Sequence, residues 1–223
     1  MDELRAAARH HGFGVVLALV LASVSFQVAA PSADWSQLVT VVLGAMTLVV
    51  CAWAARSRRL VVRAAALAAV LLALFAFGVL IVEGEVPKST ASVVNGLLVA
   101  FAPAVLAAGL VRDLREEGAV TVRTLSGVLA IYLLVGMIFS FLDGAAAAFG
   151  SQQFFSEAVH ANRSDFLYFS YVTLSTTGYG DLVPATDVGR MLAVAEALIG
   201  QIYLVTVVAL IVGNLRPRAR VEP

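Results

Sequence analysis

Between residues 13 and 214 short polar stretches cut the chain into apolar blocks of about twenty residues. As an α-helix rising 1.5 Å per residue, such a block crosses about 30 Å of hydrocarbon. Five blocks have this form: residues 13–30, 36–55, 60–82, 91–111 and 124–142. A sixth, residues 189–214, follows a shorter and more polar segment. Only 13% of the 223 residues are charged, against roughly a quarter in soluble domains, so the blocks are not the buried cores of a soluble fold. The expectation is an all-α integral membrane protein with six transmembrane helices.

The charges orient these helices. The net charge is zero, which gives no reason to expect a nucleic-acid partner. With the amino terminus inside, Arg5, Arg9, Arg56, Arg58, Arg59, Arg63, Arg112, Arg115, Arg123, Arg216, Arg218 and Arg220 fall on the cytoplasmic side. Lys88, Arg163 and Arg190 are left outside. That bias obeys the positive-inside rule, and an even number of spans returns the carboxyl terminus to the cytoplasm. We therefore expect a multi-pass protein of the cell membrane with both termini cytoplasmic and lipids as its surroundings. A signal peptide at residues 13–30 is the lesser reading, because the apolar run is longer than one needs.

The loops leave no room for a soluble domain. The expected layout is a four-helix transmembrane domain (1–111), a cytoplasmic linker (112–123), a second membrane domain (124–215) and a short tail (216–223). The linker mixes Arg112, Arg115 and Arg123 with Asp113, Glu116 and Glu117 and reads as partly helical. Trp35 and Trp53 lie near the ends of the second block, where amphipathic rings favour the headgroup layer. The single cysteine, Cys51, is a packing residue of that block.

Residues 164–184, SDFLYFSYVTLSTTGYGDLVP, are too polar and too short to cross a bilayer twice. The segment must re-enter, and non-helical backbone at membrane depth is tolerated only when buried in protein or lining a water-filled path. Ser164 is expected to cap a helix over residues 165–175, with Asp165 favourable at its amino end. The carboxyl end, partly negative, then points inward and favours a cation. Beyond it Gly178 and Gly180 can adopt positive φ, so that successive carbonyls turn to one side. A row of such carbonyls can replace the hydration shell of a potassium ion.

Thr176, Thr177, Gly178, Tyr179, Gly180 and Asp181, with Pro184 and Gly189-Arg190 after them, closely resemble the filter region of potassium channels of the pore-loop superfamily. The resemblance is close over residues 165–214 and looser for the six-helix layout. It implies a homotetramer, each subunit surrounded by three identical copies, with a re-entrant pore helix and filter loop between helices 5 and 6. It further implies no cofactor, and K+ coordinated by the carbonyls of Thr176, Thr177, Gly178 and Tyr179 and the Thr176 hydroxyl, with Gly180 completing the filter. Tyr179 would face away and brace it. Thr177 stands where the family has valine, and Tyr168 and Phe169 where it often has tryptophans; Tyr168 is placed to hydrogen-bond Asp181 and support the filter.

The last helix is expected to line an inner cavity. Gly200, twenty residues after Gly180, matches the family's hinge glycine, with close packing as the alternative reading. Gln201, Leu204, Val208 and Val212 share one face of that helix and are assigned to the pore wall. Glu196 lies roughly 140° around the helix from Gln201, so it faces away from the pore. It is expected to support the filter from behind, bonded to Thr173 or Thr177, or else to a local partner such as Tyr203 or Thr206.

Some classes are excluded. Residues 91–111 contain no charge, whereas moving one charge through 100 mV supplies only about 2.3 kcal/mol, so strong voltage gating through the fourth block has no sensor. No Gly-x-Ser-x-Gly, His-Glu-x-x-His or intramembrane aspartate pair suggests an enzyme. A non-selective cation channel or a potassium transporter subunit is the alternative function.

Overall fold

The computed structural model describes residues 12–30, 34–55, 59–83, 87–117, 121–156 and 161–214. Eight helices lie among them: α1 (Gly12–Ala29), α2 (Asp34–Ala54), α3 (Arg59–Glu83), α4 (Lys88–Ala100), α5 (Ala102–Glu117), α6 (Val122–Phe149), α7 (Arg163–Leu174) and α8 (Asp187–Asn214). Six stretches are long and apolar enough to cross a membrane. The tail beyond residue 214, with Arg216, Arg218 and Arg220, lies outside the described residues, as do Arg5, Arg9, Arg56 and Arg58.

The span expected across residues 91–111 is one apolar stretch, Ser92–Arg115, built of two helical segments, α4 and α5, that meet at Phe101. Pro103 is the physical reason. It has no N–H for the carbonyl four residues back, and its ring crowds that carbonyl, so the hydrogen-bond ladder is interrupted there. The helix α5 then runs without a break through Val111, so the linker expected to begin at residue 112 starts inside a helix. α6 is likewise longer than residues 124–142, because its alanine-rich end keeps helical propensity to Phe149.

Several of the helices bury a stripe at helical spacing. In α1 these are Phe13, Val16, Val20, Ser23 and Gln27. The two polar members close on their own helix, Ser23 Oγ donating to the Leu19 carbonyl at 2.9 Å and Gln27 Nε2 to the Ser23 carbonyl at 3.3 Å. This stripe packs against helices from both halves of the chain. Phe13, Val16 and Val20 share one apolar core with Leu98 and Val99 of α4, Leu106 of α5, Leu134 and Met137 of α6, and Leu167 of α7. At one end of the bundle Arg123 Nη2 meets Asp113 Oδ2 at 2.8 Å and its guanidinium lies 4.9 Å over the Phe13 ring. α1, α5 and α6 are thereby joined. α3 packs on α2 and leaves Leu67, Val70, Leu71, Leu74, Phe75 and Phe77 uncovered, an apolar surface suited to lipid.

Candidate functional site

The segment expected to re-enter is built by α7, which the sequence places and caps locally. Its cap is Asn162, not Ser164. Asn162 has extended backbone and its Oδ1 accepts from the amides of Ser164 at 2.8 Å and Asp165 at 3.3 Å, while Asp165 Oδ2 accepts from the Asn162 amide at 2.8 Å. Ser164 is already inside the first turn, so its hydroxyl donates to Asn162 Oδ1 instead. The reciprocal pair at a spacing of three is a capping box that the sequence carried.

Three sides of α7 are gripped. Arg163 reaches α2, donating from Nη2 to Ser36 Oγ at 3.1 Å and from Nη1 to the Ser36 carbonyl at 3.3 Å and to Thr40 Oγ1. Tyr171 Oη donates to the Leu133 carbonyl of α6 at 2.8 Å, and Ser170 Oγ to the Gly136 carbonyl at 2.6 Å. On the α8 side Ser170 Oγ also contacts Glu196 Oε1, and the Leu174 carbonyl rests where a Cβ on Gly200 would stand, 2.1 Å away. Phe166 and Phe169 pack edge-on and stacked against Phe154 and Phe155 of the loop after α6.

Past α7 the chain reverses its backbone handedness at alternate residues. Ser175 closes the helix, and positive φ follows at Thr176 (56°), Gly178 (58°) and Gly180 (79°), with Thr177 and Tyr179 on the ordinary side. Alternating handedness turns successive carbonyls toward one side, whereas a strand of uniform hand would alternate them. A Cβ at Gly178 or Gly180 would meet nothing within 4 Å, so it is the φ and not the space that demands glycine there. Thr176 pays the left-handed penalty with a β-branched side chain, which is an outlier of the kind found at functional sites. The turn is pinned by amide bonds from Thr176 to the Thr173 carbonyl at 2.9 Å and from Thr177 to Val172 at 3.0 Å.

Support for this loop comes from its flanks. Tyr168 Oη donates to Asp181 Oδ2 at 2.8 Å, a bond that raises the pKa of the Tyr168 hydroxyl above its ordinary value. The rings of Tyr168 and Tyr179 lie parallel, 6.5 Å apart with 6° between planes. The departing strand pairs back on the loop after α6: Ala185 donates to the Phe154 carbonyl at 2.7 Å and Ser156 to Val183 at 2.9 Å. Thr177, the position that departs from the potassium-channel pattern, has its hydroxyl 2.8 Å from Ser175 Oγ.

Glu196 is fully buried, on the side of α8 facing α6 and α7. Its partner is Ser170, not Thr173 or Thr177. Nor is it a local one, since Tyr203 Oη donates to the Val128 carbonyl at 2.6 Å and Thr206 Oγ1 to Ile202 at 2.7 Å. Thr177 is unsuited because the turn carries its hydroxyl to the exposed side of the loop. Gln201 and Leu204 are exposed on α8; the side chains of Val208 and Val212, assigned to the same face, lie outside the described residues. The reading by sequence missed Asn162, Arg163, Ser170 and the Phe154–Phe155 clip. Only the capping pair had a local signal; the others find partners on distant elements.

A short protein-buried helix and a loop of alternating handedness lie between two membrane-length helices, and residues 127–216 match the Ion channel family, which is not a family of enzymes. Among curated proteins the chain is 47% identical over 47 residues to a putative potassium channel protein of Rhodopseudomonas palustris, covering 21% of this chain and 11% of that one. It is 36% identical over 105 residues to the two pore potassium channel a of Oryza sativa subsp. japonica, 47% of this chain and 26% of the relative. To the two pore potassium channel b of the same plant it is 38% identical over 73 residues, 33% and 19% of the two chains. The chain thus spans about a quarter or less of these relatives. No solved structure matches it.

Proposed function

We propose that the chain is one subunit of a homotetrameric channel that conducts K+ passively and selectively, with residues 176–180 as its filter and both termini cytoplasmic. The observation that carries this reading is the alternation of φ at Thr176, Gly178 and Gly180 directly after the buried helix α7. One chain gives one row of carbonyls, too few to replace a hydration shell, so copies must meet around an axis. The uncovered apolar face of α8, with Val194, Leu198, Ile202 and Val205 exposed, supplies a surface for that meeting. The potassium-channel names of the distant relatives support the choice of ion. Gln201, Leu204, Val208 and Val212 line the cavity below the filter, and Gly200 serves as the gating hinge as well as a packing site.

The test is ion flux through the purified protein in liposomes, with potassium or sodium gradients. Potassium flux without sodium flux is the expected result, and equal flux of both ions would favour the non-selective channel instead. In mixed-ion recordings Gly178→Ala should shift the reversal potential toward that of a non-selective pore or abolish current, because its φ of 58° costs a residue with a β-carbon about 1–2 kcal/mol per filter strand. An unchanged reversal potential in that variant would sink the assignment of the filter.

A further inference from the structure

The junction between α6, α7 and α8 has a proton count that its visible groups do not meet. Ser170 is fully buried, and its Oγ lies within hydrogen-bond distance of two oxygens, the Gly136 carbonyl at 2.6 Å and Glu196 Oε1. A serine hydroxyl has one proton and a carbonyl has none to give. When Ser170 donates to Gly136, the contact with Glu196 is a bond only if Glu196 is itself the donor. The close approach of α7 to α6 that creates this geometry is permitted by Gly136, where a Cβ would lie 2.5 Å from the Tyr171 ring.

The surroundings of Glu196 point the same way. Among the described residues, the ionisable groups coupled to Glu196 are Tyr132 and Asp143 of α6 and Tyr171 of α7, none of which can be a cation. Glu196 Oε2 and both carboxyl oxygens of the fully buried Asp143 have no hydrogen-bond partner among the described residues. A carboxylate placed there would be a buried charge facing a second acid without a counter-ion, whereas a carboxylic acid carries no charge to desolvate.

Glu196 and Gly200 are one turn apart on α8, and their contacts Ser170 and Leu174 are one turn apart on α7. These two rungs hold the end of the pore helix from which the filter leaves. From this geometry we infer that Glu196 is a positioning residue for the filter that acts as a carboxylic acid: its proton completes the Ser170 junction, and removing the proton releases the pore helix, so that alkali closes the channel. This rests on the conduction reading above. The step is a plain acid dissociation, Glu196 losing its proton to hydroxide that reaches the junction from the bath, with no other bond made or broken.

Two measurements test it. In bilayer recordings of the full chain, wild-type current should fall about tenfold on alkalinisation and recover on return, the population change that one lost hydrogen bond produces. Glu196→Gln, whose amide can donate to Ser170 without titrating, should conduct at neutral pH and lose the alkaline response; Glu196→Ala should conduct poorly at every pH. A flat wild-type profile, or a profile that Glu196→Gln retains, overturns the proposal. The second measurement needs no conduction: the infrared carbonyl stretch of a protonated carboxylic acid in the purified protein at neutral pH, compared between wild type, Glu196→Gln and Asp143→Asn. Loss of a band in Glu196→Gln is expected. An identical spectrum shows that Glu196 is ionised and overturns the proton assignment while leaving the channel reading intact. Absence of potassium current from wild type with that band present would overturn the channel reading and the positioning role built on it.

Discussion

Replacing Gly200 by alanine separates its two roles. The added Cβ would stand 2.1 Å from the Leu174 carbonyl oxygen and 3.0 Å from its carbon, where ordinary contact begins at 3.4 Å. The gap must therefore open by about 1.3 Å, and because the obstacle is backbone no side-chain rotation relieves it. Overpacking of this kind costs about 1–3 kcal/mol, and a backbone clash belongs at the upper end. Alanine returns up to about 1 kcal/mol of helix propensity. The net loss of about 2 kcal/mol corresponds to a fall in Tm of about 4–8 °C for a chain of this size. Thermal unfolding of the detergent-solubilised protein, followed by intrinsic fluorescence, measures it against Gly14→Ala, where the new Cβ meets nothing within 4 Å and Tm should hold or rise. Displacing Leu174 also moves the start of the proposed filter, so Gly200→Ala should lower the potassium-to-sodium permeability ratio. A Gly200→Ala protein as stable as Gly14→Ala, with altered gating and unaltered selectivity, would refute the packing argument and leave a hinge alone.

Arg163→Ala should lower stability by about 1–3 kcal/mol, since it removes the charge-assisted hydrogen bonds to Ser36 and Thr40 that hold α7 on α2. Arg163→Lys should recover only part of this, because an ammonium cannot reproduce the two-nitrogen fork, and equal melting of Lys and wild-type proteins would contradict the assigned contacts. Open probability should vary shallowly with voltage, since residues 91–111 carry no charge. A Boltzmann fit needing several gating charges would expose a sensor elsewhere in the chain.

The sequence by itself determined which segments are long and apolar enough to span a membrane and where the loop of positive φ lies. Both are local properties: hydropathy over about twenty residues decides a span, and Gly178 and Gly180 announce positive φ wherever they sit. Positive φ at Thr176 was not legible, because a threonine adopts it only when the turn around it is held by bonds to Val172 and Thr173. The charge-free fourth span was equally readable; its break at Phe101 had Pro103 as a signal, yet the hydropathy of the stretch concealed it. What only the tertiary structure decided is which residues meet. Helical spacing correctly turned Glu196 away from Gln201, but a direction around a helix does not select among Thr173, Thr177 and Ser170. That choice depends on how far α7 slides along α8, and the register is set by the Leu174 carbonyl seated against Gly200. Arg163 and Ser36 are 127 residues apart in the chain, and the core shared by the first five helices and α6 joins segments just as remote. Such contacts follow from the packing of surfaces after the helices have formed, and no window of sequence contains both partners.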